Sequence, residues 1–372
     1  MKKTSRYLSA HAAALPATVP FVGPEALERK IGHRFKARLG ANESGFGPSP
    51  KAIAAMQTAV GENWKYADPE NFELREAIAA YHGIGMENVN IGEGIDGLLG
   101  LTLALTLSPG ETVVTSQGAY PTFNFHVAGH GGRLVKVPYS DDRENIGALL
   151  DTARREKAKI LYVSNPDNPM GSWWPAATIE DLIVNLPEET LLILDEAYCD
   201  TAPAGTTPPI DVSNPQVLRF RTFSKAYGMA GARIGYVMGD EALATAFDKV
   251  RNHYGINRLG QVCALAALRD QDYLKDAVAR IARARERICD IARQCGLAPL
   301  RSATNFVAVD CGRDDVFARR ILEATLSRDV FIRMPGVAPL NRCIRISTGP
   351  DAELDLLATV LPEAVTAARG MA

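Results

Sequence analysis

The chain has 372 residues, of which 47% are apolar and 23% are charged, and its net charge is −2. This length exceeds what one hydrophobic core usually serves, so we expect a globular protein of two domains. A charge near zero offers no overall field for nucleic acid or an anionic membrane, and no apolar run approaches the roughly 20 residues that span a bilayer. We expect a cytoplasmic protein that contacts neither, with any anion site built locally.

The six cysteines follow no C-x-x-C spacing and no histidine cluster accompanies them. We therefore expect reduced thiols, and neither a disulfide framework nor a metal site. At the N-terminus, two lysines precede a run of small residues, but Ser9 and His11 interrupt a stretch already short for a secretory signal. We interpret residues 1–40 as an N-terminal arm that packs on a small domain or on a partner subunit.

Short apolar runs predict strands at residues 88–91, 112–116, 133–137, 160–164, 191–194, 217–222 and 234–238. Helical patterns lie between several of them, for example at residues 71–82 and 95–107. The run TLLILDE is apolar almost throughout, as in strands that helices cover on both faces. This alternation predicts an α/β fold with a mostly parallel, doubly wound central sheet and helices on both faces.

The pattern changes after about residue 257, where a long charged helix begins. Short strands follow at residues 305–309 and 343–347, with a helix between them. We predict a large domain over residues 41–258 and a smaller α+β domain over residues 259–372, which includes the long connecting helix.

The first of four motifs is NIGEGIDG, where a predicted strand meets a glycine-rich turn and a helix begins near Ile95. Backbone N–H groups at a helix N-terminus form a site for an anion. Because Gly92, Gly94 and Gly97 do not follow the G-x-G-x-x-G spacing, a single phosphate fits this turn better than a dinucleotide.

Two further motifs follow predicted strands directly, at the position where open α/β sheets bind their ligands. In SNPDNPMG, two Asn-Pro units form a rigid turn that can present Asn168 as a hydrogen-bond donor, or that simply ends the strand. In LLILDEAYCD, Asp195 ends the strand and Tyr198 follows. A carboxylate at this place can pair with a protonated heterocycle nitrogen, or it can cap the next helix.

The fourth motif, TFSKAYGMAGARIGY, surrounds Lys225 with glycines, which allow a ligand to approach the backbone closely. Ser224 and Arg233 supply a hydroxyl and a forked cation that suit a phosphate. Lys225 can serve as a covalent amine nucleophile if burial or nearby cations lower its pKa. Taken alone, the motif is also compatible with a solvated surface lysine.

In order and spacing, these motifs resemble the fold-type I pyridoxal-phosphate enzymes of the class I and II aminotransferase superfamily, and within it the histidinol-phosphate aminotransferase family. The resemblance covers about residues 21–349 and rests on RLGANESGFGPSP, KYADPENFELREAIAAYHGI, GEGID, SNPDNPMG, DEAY, FSKAYGMAGARIGY and CIRISTG. It implies pyridoxal 5'-phosphate as the cofactor and a ping-pong transfer of an amino group from a small-molecule donor to a 2-oxo acid such as 2-oxoglutarate.

The resemblance also implies roles around the cofactor ring. Lys225 resembles the lysine that holds the cofactor as a Schiff base and moves the substrate proton. Asp195 resembles the acid that keeps the ring nitrogen protonated, so that the ring accepts electrons. Tyr198 and Asn168 resemble the groups that bond the phenolic oxygen.

Further residues are similar to those that hold the cofactor phosphate and cover the ring. The phosphate would bind to backbone N–H groups and polar side chains at Ile95, Asp96, Thr222, Ser224 and Arg233. Phe123 aligns best with the aromatic residue that stacks on the ring, ahead of Tyr120. Tyr66 resembles a tyrosine that reaches the phosphate from a second subunit, so the resemblance implies a homodimer with shared active sites.

On the substrate side, Arg345 resembles the small-domain arginine whose guanidinium fork clamps a carboxylate. Arg333 resembles a second substrate-side arginine, and Asn42 a substrate-contacting asparagine. Phe21 stands where a tyrosine is typical of histidinol-phosphate enzymes. This departure leaves open three reactions: transamination of histidinol phosphate, transamination of an aromatic amino acid, and decarboxylation of a related amino-acid phosphate. A non-catalytic cofactor-binding module is a further class, against which the complete set of lysine, aspartate and arginine argues.

Overall fold

The computed structural model describes residues 6–17 and 21–370, so the predicted N-terminal arm lies partly outside the described residues. Helices lie at Ala10–Ala14 (α1), Pro24–Ile31 (α2), Pro50–Ala59 (α3), Phe72–His82 (α4), Gly94–Thr106 (α5), Pro121–Gly129 (α6), Ile146–Glu156 (α7), Ala176–Val184 (α8), Glu241–Ala246 (α9), Arg258–Leu268 (α10), Gln271–Gln294 (α11), Asp315–Leu326 (α12) and Asp351–Gly370 (α13). Strands lie at Ala37–Arg38 (β1), Val89–Gly92 (β2), Thr112–Ser116 (β3), Arg133–Val137 (β4), Ile160–Ser164 (β5), Leu191–Asp195 (β6), Val217–Thr222 (β7), Gly235–Met238 (β8), Ala298–Pro299 (β9), Phe306–Asp310 (β10), Val330–Phe331 (β11) and Cys343–Ser347 (β12). None of these described helices combines the length and the hydropathy that crossing a membrane requires.

Several helices begin at a side chain that accepts a backbone N–H from the first turn, which satisfies donors that the helix itself leaves unpaired. These caps include Ser49 before α3, Asn145 before α7, Asp240 before α9, Asn257 before α10 and Asp314 before α12. Helix α5 differs, because Glu93 at its N-cap makes no side-chain hydrogen bond to the first turn. The first N–H groups of α5 are therefore available to a ligand.

The central sheet has the strand order β2-β8-β7-β6-β5-β3-β4. Its neighbouring strands are parallel except at β8, which runs antiparallel to both β7 and β2. Successive residues of the buried strands pack on opposite faces: Tyr162 and Ile193 join the core beside α5 and α6, whereas Leu161 and Leu192 join the core beside α7 and α8. This confirms the predicted α/β fold with a mostly parallel, doubly wound sheet.

A smaller antiparallel sheet has the order β12-β10-β9 and shares a core with α11, α12 and α13. Strand β1 pairs in parallel with β11, and Ala37 and Leu39 are buried in the same core. Helix α10 instead shares a core with α3, α4 and β8. The division of the chain at residues 258 and 259 stays a prediction, and α10 packs on the large-sheet side of that boundary.

The carboxyl ends of β5, β6 and β7 meet at one edge of the central sheet. Asp195 at the end of β6 lies opposite Ser164 of β5 and Phe220 of β7. The loops that follow β5 and β7 carry Asn168 and Lys225. Strand β2 runs in the same direction as β7 and leads into the N-terminus of α5 at this edge. All four sequence motifs therefore converge where open α/β sheets bind ligands.

Candidate active site

A cavity of about 250 Å³ opens at this edge of the sheet. Most of the sequence-predicted site residues line it: Ile95, Asp96, Asn168, Asp195, Tyr198, Thr222, Ser224, Lys225 and Arg233. The cavity therefore brings a lysine, an acid, a phenol, an amide, an arginine and a helix N-terminus into one space.

The side chain of Lys225 is enclosed at the centre of this group. Its Nζ donates a 3.2 Å hydrogen bond to the backbone oxygen of Asn42 and lies 5.5 Å from the centre of the Tyr198 ring. Burial, together with the cations Arg345 and Arg233, lowers the pKa of the ε-amine to about 8. A lowered pKa increases the neutral fraction of the amine at neutral pH, and the neutral amine is the nucleophile.

Asp195 is buried at the end of β6 and both of its carboxylate oxygens accept hydrogen bonds. Oδ1 accepts the backbone N–H of Ala197 at 3.0 Å, and Oδ2 accepts the hydroxyl of Tyr162 at 2.6 Å. Burial raises the pKa of Asp195, while these two hydrogen bonds and the charge of Lys225 oppose the rise. Hydrogen bonds donated to a carboxylate favour its ionised form, which a protonated ring nitrogen needs as a partner.

Tyr198 and Asn168 are each held by a side chain outside the cavity lining, Asn42 and Arg345 respectively. The hydroxyl of Tyr198 accepts a 3.0 Å hydrogen bond from Nδ2 of Asn42, and burial raises the pKa of Tyr198, so its phenol stays protonated. Nη1 of Arg345 donates to Oδ1 of Asn168 at 2.6 Å. With its oxygen engaged in this way, Asn168 offers its amide N–H groups as donors.

The other end of the cavity is an anion site. Nη2 of Arg233 donates to the backbone oxygen of Glu93 at 3.3 Å, which places the guanidinium beside the first turn of α5. Gly94 has a φ of +75°, a conformation that favours glycine, and a Cβ atom there would also lie 2.5 Å from that nitrogen. The hydroxyls of Thr222 and Ser224 are 2.9 Å apart and face the same space. Unpaired helix N–H groups, hydroxyls and a guanidinium together suit a phosphate.

These groups fit pyridoxal phosphate as a set. The cofactor has a phosphate, an aldehyde, a phenolic oxygen and a ring nitrogen, and the cavity presents in turn an anion site, a buried amine, a phenol with an amide, and a hydrogen-bonded carboxylate.

Phe123 does not line the cavity, so the structure does not bring it together with the other residues predicted to contact the cofactor. Its side chain is fully buried and stacks on Tyr162, with ring centres 4.2 Å apart and 16° between the planes. Helix α6 begins at Pro121, and its first turn directs Phe123 toward the sheet. Tyr120, the second candidate from the sequence, does line the cavity, as does Tyr198.

Five other predicted residues do not line the cavity: Asn42 and Arg345, which bond Tyr198 and Asn168, and Phe21, Arg333 and Tyr66. The ring centre of Phe21 is 6.0 Å from that of Tyr120 and 5.3 Å from the guanidinium carbon of Arg333. Arg333 in turn exchanges two backbone hydrogen bonds with Arg345. Tyr66 is 78% exposed and does not line the cavity.

Sequence reasoning missed two residues at this site. Glu43 lines the cavity and follows Asn42 directly in the chain. The GANES motif, which already indicated Asn42, could therefore have indicated Glu43 as well. Tyr162 bonds the key carboxylate from the middle of an apolar strand, where the pattern indicates only core packing.

The chain matches the family model for aminotransferase class I and II over residues 36–361. Histidinol-phosphate aminotransferase 1 of Mesorhizobium japonicum is 34% identical to it over 338 residues, which cover 89% of this chain and 90% of that protein. Histidinol-phosphate aminotransferase of Roseiflexus castenholzii is 34% identical over 362 residues, 94% of this chain and 96% of that protein. The crystal structure of histidinol-phosphate aminotransferase from Sinorhizobium meliloti in complex with pyridoxal-5'-phosphate superposes with a TM-score of 0.96 and 57% identity over 99% of both chains. The chain therefore belongs to the class I and II aminotransferases, the pyridoxal-phosphate-dependent transaminases that its motifs resemble.

Proposed function

We propose that this enzyme transfers the amino group of histidinol phosphate to 2-oxoglutarate by a ping-pong mechanism. The observation that carries this proposal is the pair of cations Arg345 and Arg333, which lie opposite each other in an antiparallel bridge beside the cavity residue Asn168, a hydrogen-bond partner of Arg345. Two adjacent guanidinium groups suit the phosphate of the donor and, in the second half-reaction, the carboxylates of the acceptor. The similarity to the Sinorhizobium meliloti histidinol-phosphate aminotransferase supports the same substrate.

Bound pyridoxal phosphate would supply an electron sink for the substrate carbon that loses its proton. We assign to Lys225 the removal and return of that proton, for which a pKa of about 8 is well matched to neutral pH. Asp195 would hold the proton on the ring nitrogen, while Tyr198 and Asn168 would hold the phenolic oxygen. The first N–H groups of α5, together with Arg233, would bind the phosphate.

An aromatic amino acid is the second candidate donor, and the observation that favours it is the position of Phe21. We assign to Tyr120 the stacking position over the cofactor ring. The ring of Phe21 lies 6.0 Å from that of Tyr120, so the two can form an apolar wall for an aromatic side chain. Single contacts of this kind change substrate preference strongly.

A comparison of amino donors, with 2-oxoglutarate as the acceptor, tests the proposed function. We expect kcat/KM for histidinol phosphate to exceed that for histidinol by about 100-fold, because two charge-assisted hydrogen bonds to the phosphate are lost in histidinol. Double-reciprocal plots should give parallel lines. A higher kcat/KM for phenylalanine would favour the aromatic candidate, and release of CO2 without formation of glutamate would reject both.

We also propose that the enzyme is a homodimer whose active sites are shared. The ring of Tyr66 packs at a tilt against that of Tyr254, with ring centres 4.5 Å apart, and both side chains are exposed, as is Trp64. An exposed aromatic cluster is typical of an interaction surface. If a second copy covers this surface, Tyr66 can reach the phosphate site of the partner rather than its own.

Mixing of two inactive variants tests the shared site. Random pairing of Tyr66→Ala and Lys225→Ala chains gives hybrid dimers in which one site has both residues intact, so up to about a quarter of the sites should be restored. The matched control mixes Lys225→Ala with Asp195→Asn chains, whose residues belong to the same subunit, and should restore none. Equal activity of the two mixtures would contradict sharing.

A further inference from the structure

Tyr162 touches the central acid of the site from outside the cavity. Its hydroxyl donates a 2.6 Å hydrogen bond to Oδ2 of Asp195, yet its own side chain is fully buried and does not line the cavity. In the parallel pairing of β5 and β6, Tyr162 lies opposite Ile193 while Ser164 lies opposite Asp195. Tyr162 and Asp195 therefore project from the same face of the sheet, and the rigid strand fixes the donor.

The surroundings of Tyr162 hold its ring and keep its proton in place. Phe123 stacks on the ring nearly in parallel, with ring centres 4.2 Å apart. Burial, and then the charge of Asp195, raise the pKa of Tyr162 well above its ordinary value, so the phenol remains a donor at any pH at which the enzyme works. The sequence indicated Phe123 as a residue that stacks on the cofactor ring. In the structure its ring stacks on Tyr162, which lies outside the cavity lining.

The two hydrogen-bond donors to Asp195 affect whether a proton that it shares with a partner base lies on the carboxylate or on that base. The Tyr162 hydroxyl and the backbone N–H of Ala197 each bond one carboxylate oxygen. A buried carboxylate without such donors takes up a proton readily, because burial disfavours its charge. Each donated hydrogen bond makes the ionised carboxylate more stable and less basic, which leaves the proton to the other member of an acid–base pair.

We propose that Tyr162 is a positioning residue that keeps Asp195 ionised and oriented, so that the proton between Asp195 and the cofactor ring nitrogen stays on the nitrogen. This inference rests on the proposed role of Asp195. Phe123 contributes by fixing the ring of Tyr162.

Removal of the phenolic oxygen should shift that proton toward Asp195. A hydrogen bond to a charged group is strong enough that its loss changes a protonation equilibrium by about tenfold or more. In Tyr162→Phe the ring stacked on Phe123 is retained, and Oδ2 of Asp195 alone loses its donor.

The experiment is a nitrogen-15 NMR measurement on holoenzyme reconstituted with pyridoxal phosphate labelled at the ring nitrogen. In Tyr162→Phe at neutral pH, the resonance should move from the protonated toward the unprotonated position. The matched control is Tyr139→Phe, since Tyr139 also donates to a carboxylate, Asp167, at 2.7 Å but does not touch Asp195. Its resonance should stay in place. An unmoved resonance in folded Tyr162→Phe would overturn the proposal.

The same measurement on Asp195→Asn separates the two assignments. If the resonance does not move in Asp195→Asn, the proposed role of Asp195 is wrong; if it moves there but not in Tyr162→Phe, only the inference about Tyr162 fails. Melting temperatures of the apoproteins report folding.

Phe123→Leu is a second variant that keeps the phenol but removes its stacking ring, and it should move the resonance part of the way. If Tyr162→Phe does not fold, an unmoved resonance in Phe123→Leu overturns the proposal.

Discussion

Lys225→Ala should reduce the rate of amino-group transfer by about 10⁴-fold or more, because in the proposed mechanism one amine both captures the cofactor and moves the substrate proton. Lys225 is the one lysine among the described residues that line the cavity, so no other lysine there can replace it. The rate is measured as formation of glutamate from 2-oxoglutarate, with circular dichroism as the check on folding. Lys51→Ala is the matched control, since Lys51 is an exposed lysine that bonds Asp270 away from the cavity. Comparable losses in the two variants would contradict the assignment.

The physical reason for this expectation has its own readout in the pH dependence of cofactor capture. Below its pKa of about 8, the amine of Lys225 is mostly protonated and cannot attack an aldehyde. The rate at which the apoprotein captures pyridoxal phosphate should therefore rise with pH up to about 8 and then level off. A lysine with the ordinary value of 10.5 would give a rate that still climbs above pH 9. Such a continued climb would show that burial and the cations do not act on this amine.

Much of the central sheet could be predicted because most of its strands, such as β5 and β6, are buried and contain apolar runs, whereas the edge strand β4 is only partly buried. The strands Thr112–Ser116, Arg133–Val137, Ile160–Ser164 and Val217–Thr222 have the predicted bounds. The short strands β1, β9 and β11 were not predicted. Each has two residues, and their extended form depends on partners far away in the chain, such as the pairing of Ala37 with Val330. No local pattern encodes such a pairing.

The site residues that lie at strand ends or in the loops after them could be predicted from the sequence. Those whose position depends on tertiary packing could not. Asp195 ends an apolar strand and Lys225 lies three residues after another, so their residue types at this edge indicated a ligand site. The choice between Tyr120 and Phe123 depends on the direction in which the first turn of α6 faces, which is a tertiary property. Tyr162 is the extreme case, because a tyrosine within an apolar strand looks like any other core residue until its hydroxyl is placed against an acid.

Arg345→Ala should raise KM for 2-oxoglutarate by about 100-fold, since charge-assisted hydrogen bonds to the substrate anion are lost. Nη1 of Arg345 bonds Asn168, whereas its buried Nε has no hydrogen-bond partner within the described residues. A buried donor without an acceptor is costly unless a ligand supplies one. Burial lowers the pKa of Arg345 to about 10, so the guanidinium remains charged at neutral pH.

Two further variants make this expectation specific. Arg345→Lys keeps the charge but loses the fork, so KM should rise by an intermediate factor. Arg342→Ala removes a nearby arginine that pairs with Asp142 and Asp310 instead of the site, and should leave KM unchanged. If KM for 2-oxoglutarate were the same in Arg345→Ala as in the unaltered enzyme, the substrate anion would have to bind elsewhere. The argument from Arg345 and Arg333 for the proposed donor and acceptor would then fail.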